Sequence, residues 1–162
     1  MALLTWSRPW VLLAALGVGG QAQAQVDESA LKAAFVYNII AFAQWQQPRH
    51  PQVLAVCTDA GPAMDAALAA LDGRAVGSRR IAVQAPAAAR PCDVFVGNGR
   101  PLPGAPEGVL VLCDGCKLPD QVTAVTLVRE ESKVRFEVDT APAARAGVTF
   151  SSQLLRLARR VL

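Results

Sequence analysis

The chain has 162 residues, 52% of them apolar and 18% charged, with a formal net charge of +3 at pH 7. That length fits a single domain, and the apolar share is enough for a real core and too high for a disordered chain. A balance so close to neutral, with no basic run interleaved with aromatics, excludes a nucleic-acid-binding domain.

Residues 1–24 have the pattern of an export signal. Arg8 supplies the positive start, Pro9 to Gly20 the apolar stretch, and Ala22-Gln23-Ala24 an A-x-A cleavage site. The apolar run is too short for a stable membrane anchor. Cleavage after Ala24 is therefore expected to release a soluble mature chain, 25–162, into the periplasm. No cysteine lies near the cleavage point, which argues against a lipid anchor. Without Arg8 the mature chain carries 15 Lys and Arg against 13 Asp and Glu, a net +2.

Ser29 to Trp45 (SALKAAFVYNIIAFAQW) predicts a helix whose only strongly polar residues from Leu31 onward are Lys32, Asn38 and Gln44. At six-residue spacing they fall about 120° apart on a helix advancing about 100° per residue. A surface helix gathers its polar residues on one face. This one either fills the domain's own core or packs against a second copy of the chain. Phe35, Tyr37, Asn38, Phe42 and Trp45 are its candidate contact residues. The segment is shorter than the roughly 20 residues of a membrane span. Ser29 is the expected N-cap, with Asp27 and Glu28 beside the positive helix end.

Gln46 to Pro51 is a loop, halted by Pro48 and Pro51. Gln52 to Thr58 (QVLAVCT) is a buried strand, short and apolar on both faces. Pro62 opens a second helix that runs through Met64, Ala67, Leu68 and Leu71 and ends at Asp72-Gly73. Arg80 to Gln84 and Cys92 to Gly97 are further strands, separated by Pro86 to Pro91, where one helical turn is expected. Asn98 to Gly108 holds three prolines and three glycines. It is a loop, at the edge of the roughly dozen residues a parallel crossover needs.

Val109 to Leu112 is the next strand and ends in the CDGC turn. Val122 to Arg129 and Lys133 to Asp139, joined by Glu130-Glu131-Ser132, predict an antiparallel hairpin. Its alternation of Val134, Phe136 and Val138 with Lys133, Arg135, Glu137 and Asp139 leaves one face to solvent. Pro142 to Ala146 is a short turn ended by Gly147. Ser151 to Leu162 predicts an amphipathic helix. Leu154, Leu155, Leu157, Ala158, Val161 and Leu162 lie on one side, with Arg156, Arg159 and Arg160 on the other. Those arginines suit solvent at the negative helix end, or a partner. The whole predicts a single α/β domain, a sandwich with a mixed sheet of about six strands flanked by helices.

No catalytic constellation stands out. His50, the single histidine, lies in the loop between Arg49 and Pro51. There is no G-x-S-x-G elbow, phosphate loop or dinucleotide fingerprint, and Glu130-Glu131 sits in a hairpin turn. One CxxC with neither a second CxxC nor a nearby histidine is weak for zinc, so no metal and no cofactor are expected. The export signal makes disulfides the ordinary reading of Cys57, Cys92, Cys113 and Cys116. Three pairings are open. The simplest joins Cys113 to Cys116, across a glycine that can turn the chain, and Cys57 to Cys92. A redox-active pair would want its first cysteine at a helix N-terminus. Cys113 instead ends a strand, Asp114 opposes thiolate formation, only Lys117 helps, and Pro119 disfavours a following helix.

Leu31 to Trp45 (LKAAFVYNIIAFAQW) resembles the opening of the YfiR-like family of exported bacterial proteins. Val134 to Val161 (VRFEVDTAPAARAGVTFSSQLLRLARRV) resembles its closing segment. The layout between them is similar too, with a strand ending at Cys57, a short helix, a strand, and Cys92 opening the next. The resemblance implies a periplasmic, non-catalytic regulator that represses an inner-membrane diguanylate cyclase by binding its periplasmic part. It also implies relief by an outer-membrane lipoprotein, dimer formation, and two disulfides. By position Cys57 and Cys92 match the first disulfide, and Cys113 and Cys116 the second, which is more widely spaced in the family. A sensor kinase is the alternative membrane partner. The alternative function, of a different class, is a periplasmic thiol–disulfide protein using Cys113 and Cys116.

Overall fold

A computed structural model describes residues 20–85, 91–99 and 107–162, with side chains from residue 28 onward. The chain opens with helix α1 (Gly20–Ala41), a short strand β1 (Ala43–Trp45) and, after the proline-bearing loop, β2 (Val53–Asp59). Helix α2 (Pro62–Ala69) follows, then a hairpin of β3 (Ala75–Val76) and β4 (Arg79–Gln84), then β5 (Val94–Gly97) and β6 (Leu110–Asp114). A second hairpin, β7 (Val125–Glu130) and β8 (Lys133–Val138), leads into α3 (Thr140–Arg145), β9 (Val148–Phe150), α4 (Ser152–Leu157) and β10 (Arg160–Val161).

Eight strands form one mixed sheet in the order β10-β8-β7-β6-β5-β2-β4-β3, while β1 and β9 pair separately. The six longer strands are those expected from the sequence. β4, β2, β5, β6 and β7 run parallel, so the Asn98–Gly108 link is a parallel crossover. β7 and β8 form the expected antiparallel hairpin. The two-residue strands β3 and β10 end the sheet with edges too short to recruit another strand readily. Residues 86–90, where one helical turn is expected, and 100–106 of the loop lie outside the described residues.

Strand alternation sorts the sheet into two faces. Leu54, Val56, Val94, Val96, Leu110 and Leu112 pack in one core cluster with Ala33, Val36, Ile39 and Ile40 of α1 and Met64 and Leu68 of α2. Ala143 of α3 and Leu154 of α4 join the same cluster, so all four helices bury residues on this side. The opposite face carries Cys57, Phe95, Val109 and Val111, with Cys92 and Val122 packed on them.

Five local expectations are corrected. Ala43–Trp45 is a strand, not the end of the first helix: it pairs with Phe150–Val148, and that tertiary ladder outweighs helical propensity. Ser29 is not an N-cap but an internal residue of α1, because the Gln, Ala and Glu residues before it are good helix formers. Pro142–Ala146 belongs with a six-residue helix, capped by the Asp139 carboxylate accepting from the Ala141 N–H at 3.0 Å.

The fourth correction concerns the C-terminus. Ser151 does cap α4, its hydroxyl accepting from the Leu154 N–H at 3.2 Å, but the helix stops at Leu157. Arg160–Val161 instead lies parallel to Glu137–Val138, and the Arg159 and Leu162 amides donate to the Phe136 and Val138 carbonyls. Leu157, Val161 and Leu162 are consequently exposed. Glu137 and Asp139, expected on a solvated face, are buried because β10 and the α3 cap engage them.

Candidate functional site

Both disulfides form on the face of the sheet opposite the described helices. Cys57 lies in β2 and Cys92 just ahead of β5, with Cα atoms 5.8 Å apart. Among the parallel strands, β2 and β5 flank the point where the chain reverses its direction across the sheet, so this bridge crosses the topological switch. Cys113 and Cys116, with Cα atoms 5.7 Å apart, close the turn after β6, and Gly115 between them takes φ 81°. The Gly115 N–H donates to the Leu127 carbonyl, and the Thr126 hydroxyl donates to the Cys116 carbonyl at 2.9 Å. The turn is thereby nailed to β7. Cys113 is buried, and the CxxC opens no helix. A thiolate there would lack the helix dipole that lowers the pKa of redox cysteines.

At the carboxyl ends of β2 and β6, where doubly wound sheets commonly hold ligands, charged side chains pair with one another. The Lys32 ammonium donates to Asp114 at 3.0 Å and lies 2.9 Å from Glu28, and Arg129 reaches Glu28 at 2.6 Å. The hydrogen bond from Lys32 holds the Glu28 carboxyl below its ordinary pKa. Burial works against the Lys32 ammonium, yet its bonds to Glu28 and Asp114 lift its pKa above the ordinary lysine value. A cavity of about 280 Å³ lies beside the CxxC, lined by Phe95, Gly97, Val111, Cys116 and Val122. Its polar residues, Asp120 and Thr123, are bonded to each other at 2.6 Å. Burial opposes ionisation of Asp120, but the Thr123 hydroxyl and nearby amides carry its pKa below the ordinary aspartate value.

The residues of the opening segment part company. Phe35 and Phe42 lean on the core, Phe35 with its ring centroid 6.1 Å from that of Phe136. Asn38 is exposed between Ala34 and Ala41, also exposed. Tyr37 and Trp45 face the β3–β4 hairpin. The Arg74 guanidinium sits 4.1 Å over the Tyr37 ring, that of Arg79 sits 4.5 Å over the Trp45 ring, and the Tyr37 hydroxyl donates to the Ala75 carbonyl at 2.9 Å. Arg74 and Arg79 did not stand out in the sequence. The usable signal was parity: Arg79 shares the helix-side register of Ile81 and Val83 in RRIAVQ.

Arg156, Arg159 and Arg160 do not form one basic helix face. Arg156 is exposed on α4, whereas Arg160 pairs with buried Glu137 at 2.7 Å and Arg159 bridges Glu137 and Glu130, each at 3.4 Å. Among the described residues no group of three or more His, Cys, Asp or Glu is placed to hold a metal, and no helix is long and apolar enough to cross a membrane.

The fold and site thus define a disulfide-stapled α/β domain. The YfiR/HmsC-like family model matches residues 29–159, and the chain belongs to that family. No curated protein matches the chain significantly. Two disulfides fit an exported protein.

Proposed function

We propose that the mature chain is a periplasmic, non-enzymatic regulator that binds and represses an inner-membrane diguanylate cyclase, and so controls cyclic-di-GMP. One observation carries this reading: the family match runs from residue 29 to 159, taking in the whole opening segment and all but the last two residues of the closing one. The two disulfides support it, since such bonds persist in an oxidising compartment. In this reading residues 1–24 are a cleaved leader and 25–162 the working domain, which pairs as a homodimer. The partner surface lies on the periplasmic part of the cyclase, or of a sensor kinase, and an outer-membrane lipoprotein relieves repression. The thiol–disulfide alternative has weaker support, because Cys113 is buried within a strand.

The test is a pull-down from the native envelope with the tagged mature chain, read by mass spectrometry with and without reductant. Enrichment of one membrane-anchored cyclase, with cyclic-di-GMP rising when the chain is deleted, is the expected result. No complex and no change in cyclic-di-GMP would overturn the proposal. A catch of many mixed disulfides would favour the alternative.

A further inference from the structure

We infer that Asn98–Gly99 is a self-modification site, at which the folded chain converts Asn98 into aspartate and isoaspartate with water as the only co-reactant. The reaction requires no partner and so stands apart from the regulator reading.

The Gly99 backbone nitrogen attacks Asn98 Cγ. The N–Cγ bond forms, the Cγ–Nδ2 bond breaks, and the side-chain nitrogen leaves as ammonia, carrying the proton of the Gly99 amide. Water then opens the five-membered imide. Breaking the new N–Cγ bond leaves aspartate; breaking the original peptide C–N bond leaves isoaspartate, whose main chain runs through Cγ. Glycine suits the attacking position because it has no Cβ to block the approach.

Asn or Asp precedes glycine at three places: Asp72-Gly73, Asn98-Gly99 and Asp114-Gly115. The fold treats them differently. The Gly73 N–H donates to the Ile81 carbonyl and the Gly115 N–H to the Leu127 carbonyl, each at 2.8 Å, so both nitrogens are engaged. Their carboxylates are engaged too, Asp72 accepting from the Val83 amide at 2.9 Å and Asp114 from Lys32 at 3.0 Å. Gly99 lies past the last rung of β5, where Gly97 pairs with Cys113, and its N–H has no acceptor among the described residues. Asn98 and Gly99 are both exposed. An amide also closes the imide more readily than a carboxylate, which is ionised at neutral pH and repels the nucleophile. The other asparagine, Asn38, is followed by β-branched Ile39 inside α1, where the helical ladder holds the backbone.

Either product puts a carboxylate where a neutral amide stood, just beyond the carboxyl end of β5. The mature chain's 15 Lys and Arg then face 14 acidic groups instead of 13, and its net charge falls from +2 to +1. Isoaspartate adds a backbone carbon immediately before Gly99, which lines the cavity beside the CxxC. Gly99 has little room to shift, since a Cβ on it would lie 3.5 Å from Cys116 Sγ. The reaction therefore alters charge and backbone length at the edge of that cavity.

The experiment incubates the mature protein, both disulfides intact, in oxygen-18 water at neutral pH, folded and in denaturant. Peptides are mapped by mass spectrometry with fragmentation that separates aspartate from isoaspartate. In the folded chain both products should accumulate at position 98, each with one oxygen-18, about tenfold or more faster than isoaspartate at 72 or 114. Asn98→Gln, which would have to close a six-membered ring, should give no product there over the same period. A folded chain that keeps Asn98 intact while the denatured chain converts it overturns the proposal. Isoaspartate arising in the folded chain at 72 or 114 as fast as at 98 overturns it as well.

Discussion

Removing the two disulfides one at a time separates loop closure from local packing. The bonded residues are 35 apart in one pair and 3 apart in the other. The chain-entropy relation gives about 3.8 kcal/mol for the long loop and about 1.6 kcal/mol for the short one. Each pair has one buried cysteine, Cys57 or Cys113, and one half-buried, Cys92 or Cys116. Substitution by alanine therefore costs similar packing in both, and the difference of about 2 kcal/mol is the quantity to trust. For a domain of this size that is a gap of about 6–10 °C in Tm. Thermal melts of C57A/C92A and C113A/C116A, read by circular dichroism, should show the first variant melting lower by that margin. Equal melting, or the reverse order, would refute the loop-entropy reasoning. It would mean that the CDGC turn holds its bonds to Thr126 and Lys32 only when cross-linked.

Three further outcomes follow from particular contacts. Glu137→Ala leaves Arg159 and Arg160 without their shared buried carboxylate and should free the C-terminal strand; trypsin should cut after Arg159 or Arg160 several times faster, while Glu137→Gln stays closer to wild type. Glu28 and Asp120 have folded pKa values below their ordinary 4.5 and 3.8, so their contributions are present above those values and lost as pH falls through the folded ones. Lys32 is raised above 10.5, so its contribution is present below that pH and lost as pH rises through the folded value; Lys32→Met should flatten both limbs of a Tm–pH profile, and parallel profiles would contradict the network. Ala34→Glu and Ala41→Glu should both fold, since both positions are exposed, whereas Ile40→Glu should not; sedimentation of the two folded variants then shows whether this face is a dimer seam.

The parts of the fold legible in the sequence were those set by local pattern. β2, α2, the β7–β8 hairpin and the Ser151 cap each follow from period, proline position or a side-chain acceptor within a few residues. The misread parts are those whose backbone partners lie far along the chain. Ala43–Trp45 becomes a strand only because Val148–Phe150 lies beside it, and Arg160–Val161 only because β8 offers an open edge. The even distribution of polar residues on α1 correctly indicated a helix with several occupied sides. Ala33, Val36, Ile39 and Ile40 meet the core, Lys32 meets Asp114, and Tyr37 meets the hairpin. The four cysteines were legible as disulfides, but the arginines on Tyr37 and Trp45 were not, because their aromatic partners are more than 30 residues upstream.

The placement of the disulfides has a structural logic that bears on function. An α/β sheet ordinarily buries both faces under helices. Here the described helices bury residues on one face only, and on the other the segments carrying Cys92 and Val122 pack over Cys57, Phe95 and Val111. Loops make poor covers because little secondary structure holds them in place. The two bridges supply that hold, one tying the approach to β5 onto β2 and the other closing the turn after β6. The division of labour leaves α1 free of cross-links.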